Sequence, residues 1–420
     1  MFSFLEKRLS KDTIFLFSVM LSIFLISCEY GVTRPASCSI FISAYSASWI
    51  PYVWIASIPI NFFAICLYNR YLPRFGCWKV FLFVVSMVII VNTTAGFFAT
   101  SWSFFPFVQA LCKDFYILLM FKQVWSLIHT TISSSRAKFL YGLIAGVGGV
   151  GAVLGGLAAN LFAVALGSQS LFFFTLPLYL LLFSAYTMAL RTSAMGEQMR
   201  ILQNNEASSQ KSGIALIRSS PSLVFLLSIA IFMQLSVSLI DFQFNLSLEK
   251  EFPNMDLRTQ YYGRLIWIIN GLTALFQFFG GWAMVHFLGL KKSHLFITLF
   301  LLCNSLLLFF VPAFGMISYA LIAIKTLDYS LFGIAREMLY IPLKINEKFQ
   351  AKAFIDVFAS RSARALGSFL ILFLQIFSSA LSKTLSFVSV LIFFCWLGSV
   401  WRLFKTEEIA TESPPLKKVL

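Results

Sequence analysis

Apolar stretches long enough to cross a lipid bilayer recur along this chain, separated by short polar intervals. A spanning helix needs ~20 mostly apolar residues. Twelve such stretches are centred near residues 22, 58, 88, 116, 152, 180, 232, 276, 303, 326, 368 and 394. The pattern predicts an all-α polytopic membrane protein with twelve transmembrane helices in two six-helix pseudo-repeat bundles. One long polar interval interrupts the series, with Gln203, Asn204 and Asn205 followed by Ser208, Ser209 and Gln210. It divides the chain into a first bundle over 1–190, a cytoplasmic linker over 191–220, a second bundle over 221–404 and a cytoplasmic tail over 405–420.

The halves echo each other. Asp114, then Phe115 and Lys122, recurs as Asp328, then Tyr329 and Arg336, each charged residue 214 positions from its counterpart. Ala137-Lys138 recurs as Ala351-Lys352 at the same offset, and Gly76 has a counterpart 213 residues on in Gly289. Matches clustered at one offset near half the chain length point to two parallel bundles, as in major-facilitator-like transporters.

Composition agrees with a membrane protein. The chain is 59% hydrophobic and 12% charged, against ~45–50% and ~25% for a soluble domain. The net charge of +15 does not point to nucleic acid, because the basic residues gather in short loops. Lys7, Arg8 and Lys11, then Arg70, Arg74 and Lys79, then Arg136 and Lys138 alternate with loops near 100 and 167 that carry no charge. Loop Lys and Arg set topology, so both termini are expected in the cytoplasm. Seven scattered cysteines without a C-x-x-C pair read as buried free thiols, and the three histidines show no metal-ligand spacing. Lys7, Arg8, Lys11 and the following apolar run resemble a signal sequence. Further spans follow, so the run reads as an uncleaved first helix, with lipidation at Cys28 as the minor alternative.

Charges inside apolar spans carry the functional signal. Each costs at least ~2.5–3.5 kcal/mol on insertion scales and must be surrounded by protein or by a wet cavity. Asp114 and Lys122 are eight residues apart, slightly over two turns, and share a helix face; Asp328 and Arg336 repeat the arrangement. Two readings remain open for them: cavity-facing sites of an alternating-access carrier, or salt bridges and gates between helices. Arg361 and Arg364, three apart, are neighbours on one helix face. They repel unless an anion sits between them or a carboxylate such as Asp356 flanks them. Guanidinium groups bond phosphate oxygens in two-point fashion, and Arg34 at the end of the first span offers a third cation.

Gly142, Gly146, Gly148, Gly149, Gly151, Gly155 and Gly156 crowd the fifth span. No strand precedes them, so they read as a close-packing surface between helices and not as a nucleotide loop. No nucleophile–base pair, metal cluster or phosphate loop stands out. No enzyme, cofactor or metal site is expected.

Residues 328–367 closely resemble the bacterial and plastidic ATP/ADP translocase family. Asp328-Tyr-Ser-Leu-Phe, Arg336-Glu337-Met-Leu-Tyr340-Ile-Pro342-Leu and Ala353-Phe354-Ile355-Asp356-Val357 match that family's K-Y-S-L-F, K-E-M-A-Y-I-P-L and A-A-I-D-V. Arg136-Ala-Lys138-Phe-Leu-Tyr141 is similar to its E-A-K-R-F-Y. Tyr30 and Arg34 are similar to its N-Y-x-x-L-R, and Asp241 with Phe244 to its V-E-x-x-W. The resemblance implies a twelve-span carrier that exchanges nucleotides, typically ATP for ADP, in a bacterial inner membrane. Carried over by position, its acidic residues become Asp114 and Asp241, and the lysine after the I-D-V segment becomes Arg364. Two lysines are lost, one falling on Ser37 and one on Trp54. Their loss weakens the binding of a triphosphate and makes a less charged nucleotide a real alternative.

The expected substrate-binding set is therefore Arg34, Asp114, Asp241, Arg361 and Arg364. The expected gating and coupling set is Lys122, Asp328, Arg336 and Asp356. The partners are a small anionic substrate, expected to be a nucleotide, and the lipid bilayer. Two alternatives stay open: a proton-coupled symporter, with Asp114 or Asp241 carrying the proton, and a membrane scaffold that transports nothing.

Overall fold

The computed structural model describes the backbone of residues 2–132, 134–193, 221–339 and 345–412; side chains of 2–10, 134–139, 221–222, 281–285, 345–354, 356–361 and 406–412 lie outside the description. Most of the linker, the end of the tail, and the side chains of Arg361, Asp356, Arg136, Lys138 and Lys352 therefore fall outside it.

The described chain is helical throughout. The helices are α1 (Phe2–Tyr45), α2 (Ile50–Phe98), α3 (Phe104–Thr131), α4 (Ser134–Leu166), α5 (Ser170–Thr192), α6 (Pro221–Glu251), α7 (Met255–Leu275), α8 (Gly281–Phe310), α9 (Phe314–Leu327), α10 (Gly333–Leu339), α11 (Ile345–Phe377) and α12 (Leu381–Glu412). A 3₁₀ turn, Ala47–Trp49, precedes α2, and π-helical turns cover Phe276–Gly280 and Asp328–Phe332. Among the described residues, nine helical segments are long and apolar enough to span a membrane.

A straight α2 would run about 70 Å at 1.5 Å per residue, more than twice the bilayer core. Gly76 breaks it, with φ 77° and ψ 163°. Gly289 breaks α8 with nearly the same backbone, φ 71° and ψ 170°. A side chain at such a φ is strained, and glycine is not. The two glycines paired by the sequence offset thus make the same turn.

Two compact units emerge: Met1–Ser208 with Leu248–Ala274, and Ser209–Ser247 with Leu275–Leu420. The first has a core of Val19 and Ile23 from α1, Phe81 and Val88 from α2, Met120 and Val124 from α3, and Tyr179 and Tyr186 from α5. Glycines let α1 and α4 touch. A Cβ on Gly155 would collide with the carbonyl of Cys28, one on Gly151 with that of Phe24, and one on Gly31 would lie 2.8 Å from the oxygen of Ala152. Gly142 meets nothing, so only part of the glycine run does this packing.

Residues 248–274 join the first unit through polar ties. Arg258 Nη2 donates to Ser43 Oγ at 2.8 Å, and the Ser168 hydroxyl and backbone N–H both donate to Asp256 Oδ1, at 2.6 and 2.7 Å. Gly263 sits close against Asn160.

Large apolar side chains remain exposed on both units, such as Phe62, Phe83, Phe310 and Ile376. On a water-facing surface that would be a liability, and against lipid it is the expected finish. The cysteines depart from the sequence expectation. Only Cys77 is buried, while Cys66, Cys303 and Cys395 are exposed among these apolar faces. A thiol behaves as a small apolar group, so lipid suits it as well as a core does.

Candidate functional site

The second unit holds a cluster of charged side chains. Lys325, on the last turn of α9, is 2% exposed, and its Nζ lies 2.9 Å from Asp241 Oδ1 on α6. A lysine buried to that degree needs a carboxylate to offset the lost hydration. Three residues on, the chain enters the π turn at Asp328. Such turns insert a residue into an α-helix and re-aim the side chains there. Both carboxylate oxygens of Asp328 accept from Gln234 Nε2, at 3.2 and 3.1 Å. Lys325 and Arg336 both act on Asp328 electrostatically, and the Arg336 guanidinium lies 5.8 Å from the Phe332 ring.

The second π turn supports the first. Gln277 Nε2 donates to the carbonyl of Tyr329 at 2.9 Å. An open cleft of about 490 Å³ lies there, lined by Gln277, Tyr329, Ser330, Gly333, Glu337 and Met338 among others. Arg364 is exposed on α11, one turn before Ser368, whose hydroxyl donates to its carbonyl. Near it, Gly367 packs against Leu235 and Ser238 of α6. The backbone of Arg361 and Asp356 belongs to α11, and their side chains lie outside the described residues.

In the first unit, Arg34 is half-buried on α1, its guanidinium 5.8 Å from the Tyr30 ring and 6.0 Å from the Tyr262 ring. Aromatic faces favour a cation at that range. The next residue, Pro35, cannot donate to the carbonyl one turn back, so the helix is locally loosened at this point. Asp114 is half-buried on α3. Lys122 is exposed and is held by α2: its Nζ donates to Asn69 Oδ1 at 2.9 Å and sits 4.7 Å from the Tyr68 ring. Of the expected pairs, Asp328 and Arg336 share one electrostatic neighbourhood. Lys122 finds its partners in Asn69 and Tyr68 of α2 instead of Asp114.

Three polar residues outside the expected set stand in these clusters. Lys325 and Gln234 flank the two aspartates of the second unit, and Glu29 is buried in the first. A signal existed for Lys325, which is three residues before Asp328 in an otherwise apolar run. Gln234 carried none, since an amide costs too little in a span to stand out. A second cavity, about 610 Å³ between the two arms of α2 and lined by Phe63, Leu67, Tyr71, Phe83 and Met87 among others, is apolar and unsuited to phosphate.

A family model described as TLC ATP/ADP transporter matches residues 307–406, the stretch holding Lys325, the Asp328 turn, Arg336 and Arg364. The chain is 22% identical over 234 residues to ADP,ATP carrier protein 1 of Chlamydia pneumoniae, covering 48% of this chain and 45% of the relative. It is 24% identical over 209 residues to the protein of that name from Chlamydia muridarum, covering 44% and 40%. The matched part thus spans less than half the length of these relatives. The nucleoside transporter NupG superposes with a TM-score of 0.63 at 11% identity, over 93% of this chain and 99% of its own. A bacterial metal transporter superposes at 0.62 and 13% identity, over 94% and 98%. At those identities the structural likeness speaks for the fold alone, a multi-pass helical one. Through residues 307–406 the chain is related, at low identity, to the TLC ATP/ADP transporter family.

Proposed function

We propose that the chain is a nucleotide carrier working by alternating access, and not an enzyme. In this reading its spans number twelve, in two six-helix bundles: α2 counts as two across Gly76, α7 runs through its π turn to Gly289 as one, the rest of α8 is another, and α9 with α10 is one. It sits in a bacterial inner membrane with both termini in the cytoplasm, as the loop charges favour. Transport is by exchange. Arg34 and Arg364, with Arg361, hold phosphate; Asp114 and Asp241 recognise polar groups. Lys122, Asp328, Arg336 and Asp356 gate or couple the bundles.

One observation carries the reading. The family segment and the ionic cluster coincide: the match over 307–406 contains the buried Lys325, the re-aimed Asp328 and Arg364. Buried charge at membrane depth is costly, and in a chain of this family a polar cargo is the reason to keep it.

The test is uptake of labelled nucleoside mono-, di- and triphosphates by the purified protein in liposomes preloaded with unlabelled nucleotide. Uptake of one or more is expected, with loss in Arg364→Ala. No uptake of any of them by folded protein rejects the carrier. Full retention in Arg364→Ala removes that residue from the site. A second reading, uptake driven by protons, is favoured by the buried carboxyl groups. Asp241 is already paired with Lys325, so the proton carrier must be looked for elsewhere.

A further inference from the structure

Glu29 is 1% exposed, midway along α1. Its Oε1 accepts hydrogen bonds from the Thr33 hydroxyl and, at 2.9 Å, from the Tyr116 hydroxyl on α3. Its Oε2 is buried and makes no hydrogen bond of full geometry, with Tyr179 from α5 and Asn92 from α2 as further polar neighbours of the carboxyl. Asn92 Nδ2 donates to the Tyr179 hydroxyl at 3.2 Å, and Gln109 Nε2 donates to Asn92 Oδ1 at 3.3 Å.

The titratable groups facing the carboxyl are thus Tyr116 and Tyr179, with Cys28 beside it on its own helix. The α4 stretch against this turn of α1 brings Gly151, Ala152, Gly155 and Gly156, which carry no charge. Burial and the hydrogen bonds of Thr33, Tyr179, Tyr116 and Asn92, all neutral groups, dominate the surroundings of Glu29.

A carboxylate buried among neutral groups, with one oxygen short of a well-formed hydrogen bond, is strongly disfavoured. A proton removes the charge and turns Oε2 into a donor, for which the Tyr179 hydroxyl oxygen is an acceptor. A metal cation suits the place poorly, because the hydroxyls around Oε1 already point their hydrogens at it. The position also departs from the N-Y-x-x-L-R pattern, where an amide precedes the tyrosine. Here a group that can exchange a proton stands in its place.

We propose that Glu29 is a proton-binding site that couples cargo movement to the proton gradient. The proposal rests on the carrier reading above. Loading transfers a proton from water to Oε2 and gives the neutral acid. Release returns it to water when the transition wets the site, and no other bond forms or breaks.

The first test needs no cargo. An infrared pH titration of the protein in liposomes is compared with that of Glu29→Gln. A carboxylic-acid C=O band that titrates in the parent and is lost in the variant is expected; identical titrations overturn the proposal. The second test is labelled ADP and AMP uptake with and without an acid-outside gradient. The parent should speed up several-fold, while Glu29→Gln keeps counterflow but no longer responds. A parent indifferent to the gradient, or a variant that still responds, also overturns it. If the parent moves no nucleotide at all, the carrier reading fails, while the infrared result still decides the protonation of Glu29. If Glu29→Gln does not assemble, Glu29→Asp should keep the band and Tyr116→Phe should move its position. A band unchanged in Tyr116→Phe overturns the assignment.

Discussion

Replacing Lys325 with methionine removes one half of the ion pair in the second unit and leaves Asp241 beside an apolar side chain. At 2.9 Å, two unit charges attract by about 6 kcal/mol at an effective dielectric of ~20. Desolvating the two ions costs several kcal/mol each and cancels most of that gain. The pair is therefore worth little against an apolar replacement, while either charge alone is expensive. Breaking a buried pair from one side typically costs ~3–5 kcal/mol. Lys325→Met should fall at the lower end, because Asp241 keeps 17% of its surface exposed and can recruit water. Asp241→Asn should cost more, since Lys325 is 2% exposed. The double variant should recover most of the loss. The assay is a double-mutant cycle read by denaturant unfolding in detergent, followed by tryptophan fluorescence. A coupling of at least ~2 kcal/mol is expected. Single variants within ~1 kcal/mol of the parent, or a double variant as unstable as the sum, would refute the reasoning. Uptake measured on the same proteins separates scaffold from mechanism: a stable double variant that transports normally leaves the pair a purely structural role.

Helix contact in the first unit predicts a contrast between two glycines. Gly155→Ala should cost ~1–3 kcal/mol by overpacking, because its Cβ meets the Cys28 carbonyl, whereas Gly142→Ala meets nothing and should be neutral; melting temperatures in detergent check both. Gly76→Ala and Gly289→Ala also meet nothing within 4 Å, so any loss comes from backbone conformation, ~1–2 kcal/mol each, and the two values should agree. Lys122→Met removes an exposed ammonium held by Asn69 and Tyr68. Stability should stay within ~1 kcal/mol of the parent, and a large fall in uptake would mark Lys122 as a gate.

Hydropathy made the helical membrane fold legible, because a run of apolar residues leaves a helix as the one way to satisfy its backbone in lipid. The offset linking Gly76 to Gly289 was readable for the same kind of reason: a positive φ restricts the residue type wherever the hairpin turns. What the sequence left out was partnership. Asp241 and Lys325 are 84 positions apart, and no local pattern announces that one neutralises the other. Nor does a span's hydropathy distinguish Glu29, packed among hydroxyls, from Asp241, facing an ammonium. The π turn at Asp328 was hidden too, since its residues also suit an ordinary helix. Residues 248–274 fall in the stretch that the sequence assigns to the second bundle. Their attachment to the first unit depends on Ser43, Ser168 and Asn160, each too small and common to draw notice.

The charge available to a cargo follows from these commitments. Lys325 is bound to Asp241, and Arg258 is turned to Ser43 and the carbonyl of Pro253. In the proposed function Arg34 and Arg364 hold phosphate, with Arg361 three residues before the latter in the sequence. At the positions where the family pattern has two further lysines, the chain has Ser37, 2% exposed, and the half-buried Trp54. Neither supplies a cation. Each missing charge-assisted hydrogen bond is worth roughly 1.5–3 kcal/mol. Two together amount to about 3–6 kcal/mol, or roughly a hundred- to ten-thousand-fold in Kd. A triphosphate bears the whole of that loss, and a monophosphate needs only the cations that remain. AMP should therefore displace labelled nucleotide at lower concentration than ATP does. If ATP displaces it at the lower concentration instead, the lost lysines have been replaced by cations elsewhere in the chain, and this inference from Ser37 and Trp54 falls.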